Sequence, residues 1–401
     1  MPATEAPSDV IRAHAGLAAS RRSEIPSFIV MDVMAAAARA EAAGRRVIHM
    51  EVGQPGTPAP KAARDTVARA LERDTLGYTL ALGSQPLRER IARHYQDWYG
   101  VSVPPERVVV TTGSSAGFVL AFLALFDAGE RVALPSPGYP CYRHILTALG
   151  LTPVVIETNA AGRWMPTAES LAAAADAHGL SGIILASPAN PTGTMLTPER
   201  LEELAAVARA RGLAFVSDEI YHGLAYGMEA ETALAHLPDA IVVNSFSKYF
   251  SMTGWRVGWM IVPEALVRPI ERLAQNLYIA PPAVSQVAAL GAFDALPELE
   301  ANRRLYAANR ALLLAELPKL GLGSVLPADG AFYLYADISH MTDDSLAFAR
   351  TLLEETGIAA TPGLDFDEAR GSRYLRFSYS AATADIEEAL TRLARWSRLK
   401  G

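Results

Sequence analysis

The sequence predicts an α/β protein: a large unit whose mostly parallel sheet is covered by helices, joined to a smaller, discontinuous α+β unit. Two observations carry this. Between residues 108 and 244, short β-branched runs alternate with helical segments, and the strands among them are apolar almost throughout. Such runs mark strands buried on both faces. After about Pro281 the texture changes to long helical stretches with isolated strands.

The elements follow in chain order. Residues 1 to about 24 are mixed and polar, and are expected to fray or to wrap a neighbour. A good helix former over 31–43 runs into Gly44, a stop signal. A strand over 47–52 leads into Gly53-Gln54-Pro55-Gly56-Thr57-Pro58, too rich in Gly and Pro for a regular element. Helices are predicted over 61–73 and 86–99, separated by Leu76-Gly77-Tyr78-Thr79. The alternation then reads strand 108–111, helix 115–126, strand 131–134, helix 140–149, strand 153–156 and helix 167–178. It continues with strand 182–186, helix 198–211, and strands 213–217 and 241–244. Beyond lie a helical stretch over 283–317 broken near Pro297, a strand over 331–338, a helix over 345–356, a strand over 373–379 and a closing helix over 384–399. The expected division is 1–50 as an N-terminal arm and part of the small unit, 51–282 as the large unit and 283–401 as the small C-terminal unit.

Composition narrows the function classes. Half of the 401 residues are hydrophobic and a fifth are charged, as in soluble globular proteins. A net charge of −7 argues against nucleic acid or an anionic membrane surface as partner. The most apolar run, 118–126, is too short to span a bilayer, and Glu5 and Asp9 interrupt any signal-peptide core. A single cysteine, Cys141, excludes an internal disulfide framework and any cysteine-cluster metal site, which fits a reducing cytoplasm.

Four loops leave the carboxyl ends of predicted strands, where ligands sit in such sheets. Thr111-Thr112-Gly113-Ser114-Ser115 opens a helix and offers free N–H groups to a phosphate, or is a plain N-cap. Ser187-Pro188-Ala189-Asn190-Pro191 places Asn190 at the same edge. Asp218-Glu219-Ile220-Tyr221 follows the strand 213–217, and its aspartate could equally cap a helix. After 241–243 come Ser245, Ser247 and Lys248, with Arg256 eight positions on. A lysine ending a buried strand either snorkels outward or does chemistry. Together these loops supply a phosphate cradle, a buried carboxylate, hydrogen bonds for a phenolate and an amine nucleophile, the needs of pyridoxal 5'-phosphate.

From about Ile25 to the C-terminus the chain resembles the class I/II aminotransferases, with the aspartate aminotransferase fold. The resemblance implies an aminotransferase acting between an L-amino acid and a 2-oxo acid, with a β-lyase or racemase on the same fold as the alternative. By the same resemblance Lys248 binds pyridoxal phosphate covalently and moves the substrate's α-proton, and Asp218 pairs with the pyridine nitrogen. Asn190 and Tyr221 are expected at the phenolic oxygen, and Ser114, Ser115, Ser245, Ser247 and Arg256 at the phosphate. Tyr139 is expected to stack on the ring, although a core tyrosine would look the same. Tyr78 is expected to reach the phosphate of the other subunit of a homodimer with shared active sites. Arg376, in Tyr374-Leu375-Arg376-Phe377-Ser378, is expected to bind the substrate α-carboxylate, with Gly53 and Asn190 beside it. On its pattern alone Arg376 reads as a surface residue of a strand. Two departures stand out: Gly53-Gln54-Pro55-Gly56-Thr57 replaces the family's usual Gly-Gln-Pro-Asp-Phe, and no second arginine for a dicarboxylate can be placed. A ligand sensor on this fold would carry an added DNA-binding unit, for which neither the start at Ile25 nor the acidic charge speaks.

Overall fold

The computed structural model describes residues 19–322, 325–396 and 399. The polar stretch read over 1–24 therefore lies mostly outside the described residues. Helix α1 (Ile29–Ala42) ends at Gly44, whose φ of +83° is the left-handed geometry expected of that glycine. The predicted strand 47–52 is regular only over β1 (Ile48–His49), which pairs in parallel with Ile358 and Ala359. At Met50 the chain leaves that partner, and its carbonyl accepts from the Ser378 amide. Helices α2 (Lys61–Leu71) and α3 (Gln85–Tyr99) follow as expected.

The central layer starts with β2 (Val108–Thr111) and α4 (Gly113–Leu125), then β3 (Arg131–Ser136), α5 (Pro140–Ala148), β4 (Thr152–Glu157) and α6 (Ala168–His178). It continues through β5 (Gly182–Ala186), α7 (Pro198–Arg211), β6 (Ala214–Asp218) and β7 (Ile241–Ser245). Strand β8 (Gly258–Ile261) completes a seven-stranded sheet of order β2-β8-β7-β6-β5-β3-β4. Only β8 runs antiparallel, to β2 on one side and β7 on the other. Sequence reading assigned no element to β8 or to helix α8 (Glu264–Leu277), which carries Pro269 within it. Four residues straight after a Gly-rich loop show too little periodicity to be read as a strand.

Apolar side chains alternate across this sheet. Val132, Leu134, Ile184, Val216, Val243 and Met260 pack on one face, and Ala133, Ile183, Leu185, Phe215, Val242 and Trp259 on the other. Both faces are therefore core, which is why the strands read as unbroken apolar runs. Helices α9 (Ala283–Ala292) and α10 (Leu296–Glu316) lead to β9 (Tyr333–Asp337), α11 (Ser345–Thr356), β10 (Ile358–Ala359), β11 (Thr361–Pro362), β12 (Tyr374–Ser378) and α12 (Thr383–Arg395). Strands β11, β12 and β9 form an antiparallel sheet in that order, with Arg376 at its centre opposite Tyr335 and Thr361. The two-residue strands β10 and β11 escaped the sequence reading, and the closing helix stops at Arg395 rather than 399. No helix among the described residues is long and apolar enough to cross a membrane.

Candidate active site

At the carboxyl edge of the central sheet, a cavity of about 320 Å³ opens among Ser114, Ser115, Tyr139, Asn190, Asp218, Tyr221, Ser247, Lys248, Arg256 and Arg376. Ten of the predicted site residues thus meet in one place, and Gly53 joins them. Ser245 and Tyr78 do not line it. The Ser245 hydroxyl instead bonds the Ser247 hydroxyl (2.8 Å) and the Val257 carbonyl (3.1 Å), and accepts from the Ser247 amide. It shapes the turn that presents Ser247. Tyr78 is 86 % exposed, away from the cavity of its own chain.

The anion end is built from two close backbone approaches. Gly113 opens α4 at φ +74°, and no side chain caps the N–H groups of the first turn. The Arg256 guanidinium lies against Gly113, where any Cβ would collide with it. Arg256 itself sits at φ +50°, a conformation a non-glycine residue rarely keeps without a reason. A Cβ on Gly258 would stand 2.7 Å from the Asn244 carbonyl, so only glycine lets β8 pass under the helix start. An uncapped helix N-terminus with Ser114, Ser115 and an arginine beside it has the chemistry to receive an anion such as a phosphate.

Lys248 lies after β7 and donates to the Gly53 carbonyl at 2.5 Å. Burial, with Arg376 and Arg256 nearby, pulls its pKa down to about 7 against the opposing pull of Asp218. A substantial fraction is then the neutral amine at neutral pH, as a nucleophile requires. A Cβ at Gly53 would clash with the Tyr333 hydroxyl, which explains the glycine. Asp218 is 4 % exposed and ends β6; burial raises it to about 6, while hydrogen bonds from Tyr142 and the Ile220 amide (3.0 Å) hold it down.

Arg376 is buried, and its partners among the described residues are neutral. One terminal nitrogen donates to Asn190 Oδ1 (2.9 Å), and the other to the Glu51 carbonyl and the Thr361 hydroxyl. Its Nε is buried without a partner. The guanidinium stacks over Tyr333 at 4.3 Å and Phe366 at 4.7 Å. No carboxylate bonds the guanidinium, Asp365 acting on it only through space, and a buried cation so placed is costly unless an anion joins it. The pattern of β12 suggested a surface arginine. The fold buries it because that face of β12 is covered by Tyr333, Phe366, Asn190 and the Glu51 segment.

The structure adds residues that sequence reading missed. Tyr142 reaches Asp218, and the Tyr333 hydroxyl bonds Tyr221 at 2.7 Å. Tyr139 meets Phe28 (5.7 Å) and Tyr142 (5.2 Å) edge-on. Phe28, Val30, Met31 and Met34 add an apolar wall to the same cavity. The only local signal for that wall was an apolar helix start. The lining holds Arg256 and Arg376 and no further arginine. Among the described residues no cluster of His, Cys, Asp and Glu could hold a metal ion.

Comparison with known proteins gives matches over nearly the whole chain. A profile of the family "Aminotransferase class I and II" matches residues 45–393. The chain is 48% identical over 379 residues to valine--pyruvate aminotransferase of Mycobacterium tuberculosis, covering 94% of this chain and 97% of that protein. Among solved structures, an aminotransferase from Mycobacterium tuberculosis superposes with a TM-score of 0.91 at 48% identity, over 94% of this chain and 98% of that one. Aspartate aminotransferase from Thermus thermophilus with maleate superposes with a TM-score of 0.89 at 31% identity, over 94% and 99%.

Proposed function

Because this chain belongs to the class I and II aminotransferases, enzymes that move an amino group between amino and oxo acids, we propose that it works with pyridoxal 5'-phosphate on a neutral, apolar L-amino acid donor and a small 2-oxo acid acceptor. The observation that carries the reading is Arg376, buried with an unpartnered Nε in a cavity that Phe28, Val30, Met31 and Met34 also line. An amino acid placed with its carboxylate on Arg376 meets Phe28, Val30, Met31 and Met34 rather than a second cation. The relative at 48% identity, named valine--pyruvate aminotransferase, supports the same class of donor.

The residues fit the cofactor. The uncapped turn at Ser114 and Ser115, Ser247 and Arg256 would take the phosphate, with Ser245 supporting Ser247 from behind. Asp218 would face the ring nitrogen, Asn190 and Tyr221 the phenolic oxygen, and Tyr139 the ring. Pyridoxal phosphate, when bound, supplies an aldehyde for Lys248 and a ring that accepts electrons. Asp218, near 6, is largely ionised at neutral pH and would favour a proton on a ring nitrogen placed beside it. Arg376 orients the donor's carboxylate, and Lys248 carries the proton from the donor's α-carbon.

The enzyme is further proposed to be a cytoplasmic homodimer. Tyr78 (86 % exposed), Leu80 (70 %), Ile279 (55 %) and Leu277 (50 %) are apolar residues left open on the single chain. Tyr78 is assigned to the partner's phosphate site.

The test is a donor panel followed by the absorbance change from the pyridoxal to the pyridoxamine form. Valine-sized donors should convert the cofactor, and turnover should require a 2-oxo acid. If aspartate or glutamate proved the better donors, the apolar assignment would fall. Elimination or racemisation of the best substrate without any oxo acid would sink the proposed reaction.

A further inference from the structure

We infer that Asp365 is a positioning residue for substrate selection: its carboxylate fastens the first turn of α1 and so holds the apolar wall at a fixed distance from Arg376. The inference rests on the apolar-donor reading above. The N-cap of α1 is Phe28, whose side chain cannot accept a hydrogen bond from the helix. The free N–H groups of Ile29 and Val30 are taken instead by a residue more than 330 positions away. Ile29 N donates to Asp365 Oδ1 at 3.1 Å, and Val30 N to Asp365 Oδ2 at 3.2 Å. The residue is 1 % exposed, so its charge is placed in the interior against the positive end of a helix.

Three parts of the site meet at this point. The Asp365 carbonyl accepts from Arg143 at 2.9 Å on α5, and the neighbouring Phe366 carbonyl accepts from Gly138, next to Tyr139. The Phe366 ring lies under the Arg376 guanidinium at 4.7 Å. Phe28 also packs edge-on against Tyr139. Two consecutive residues therefore tie together the helix that walls the cavity, the Tyr139 loop and the carboxylate-binding arginine. If Arg376 anchors the donor's carboxylate, Asp365 fixes where Val30, Met31 and Met34 meet the donor's side chain.

The test compares the wild-type holoenzyme with Asp365→Ala and with Asp365→Asn, which keeps one acceptor oxygen. Valine and alanine are the donors, because alanine's shorter side chain offers the wall less to contact. In Asp365→Ala the KM for valine should rise about tenfold, the effect of losing charge-assisted bonds of this kind, with kcat within about twofold. The KM for alanine should rise less than that for valine, so that selectivity falls, and Asp365→Asn should recover part of the loss. Amide hydrogen exchange over residues 29–34 should accelerate while the visible spectrum of the bound cofactor stays unchanged. Unchanged valine-to-alanine selectivity in a folded Asp365→Ala enzyme overturns the proposal. If wild type accepts no apolar donor, the substrate reading fails separately. Exchange over 29–34 then decides the clip alone, and an unaltered rate overturns it. Should Asp365→Ala fail to fold, Asp365→Asn is judged by the same selectivity and exchange measurements.

Discussion

The hydroxyl of Tyr142 donates to Oδ2 of Asp218, tying the carboxylate at the end of β6 to the first turns of α5. Burial pushes Asp218 up to about 6, and this bond, which favours the charged form, opposes the push. Tyr142→Phe should therefore raise the Asp218 pKa further. The acid limb of the donor half-reaction should move to higher pH by roughly one unit or more, since a bond to a charged group is worth about 1.5–3 kcal/mol and one unit is 1.36. A stopped-flow pH profile reads the shift. An unmoved limb would mean that Tyr142 only packs.

Asp218→Asn keeps the shape of the residue and removes its charge. The variant should still bind pyridoxal phosphate through Lys248, but donor half-reactions should slow by about 10²-fold or more, as when a key electrostatic stabiliser is lost. Rates near wild type would reduce Asp218 to a structural cap on the Ile220 turn.

The amine of Lys248, drawn down to about 7, should become reactive as pH rises through that value. Addition of pyridoxal phosphate to cofactor-free enzyme should give a yellow protein at a rate that climbs between about pH 6 and 8 and then levels off. Borohydride should bleach the colour and leave the label on Lys248. A label on any other lysine would end the assignment.

Arg376→Lys replaces a planar fork held by Asn190, Glu51 and Thr361 with a single ammonium. The cofactor spectrum should survive, while kcat/KM for every amino donor should fall by on the order of 10²-fold, the loss of one or two charge-assisted bonds. A variant that lost cofactor but kept donor affinity would place Arg376 on the wrong ligand.

Tyr78, exposed on its own chain, gives the clearest test of a shared site. Tyr78→Phe should release pyridoxal phosphate more readily, by the roughly 1.5–3 kcal/mol of one bond to a charged group. Mixed with Lys248→Ala subunits at limiting cofactor, it should form heterodimers with one intact site and one doubly damaged site. Activity should rise above that of Tyr78→Phe diluted by inactive chains. No gain, with subunit exchange demonstrated by mass, would return Tyr78 to its own chain.

The sequence by itself determined the repeating framework and most of the residues that line the candidate site. Apolar runs buried on both faces announced the parallel strands, and the loops after β2, β5, β6 and β7 carried Ser114, Asn190, Asp218 and Lys248 to one edge. Those signals are local, because strand period, turn chemistry and a loop's place after a strand all lie within a few residues. Other features depend on pairings between distant segments, which no local pattern records. Strand β8 enters the sheet between β2 and β7, and Arg376 meets Asn190 across 186 positions. Asp365 caps a helix that begins more than 330 residues earlier, and Tyr142 finds Asp218 only because α5 packs on the sheet against β3 and β4. The apolar wall likewise became part of the site when tertiary packing brought the start of α1 over the sheet edge. Local chemistry chose the candidate reacting groups; long-range packing decided which of them are buried, which are charged and what lines the cavity around them.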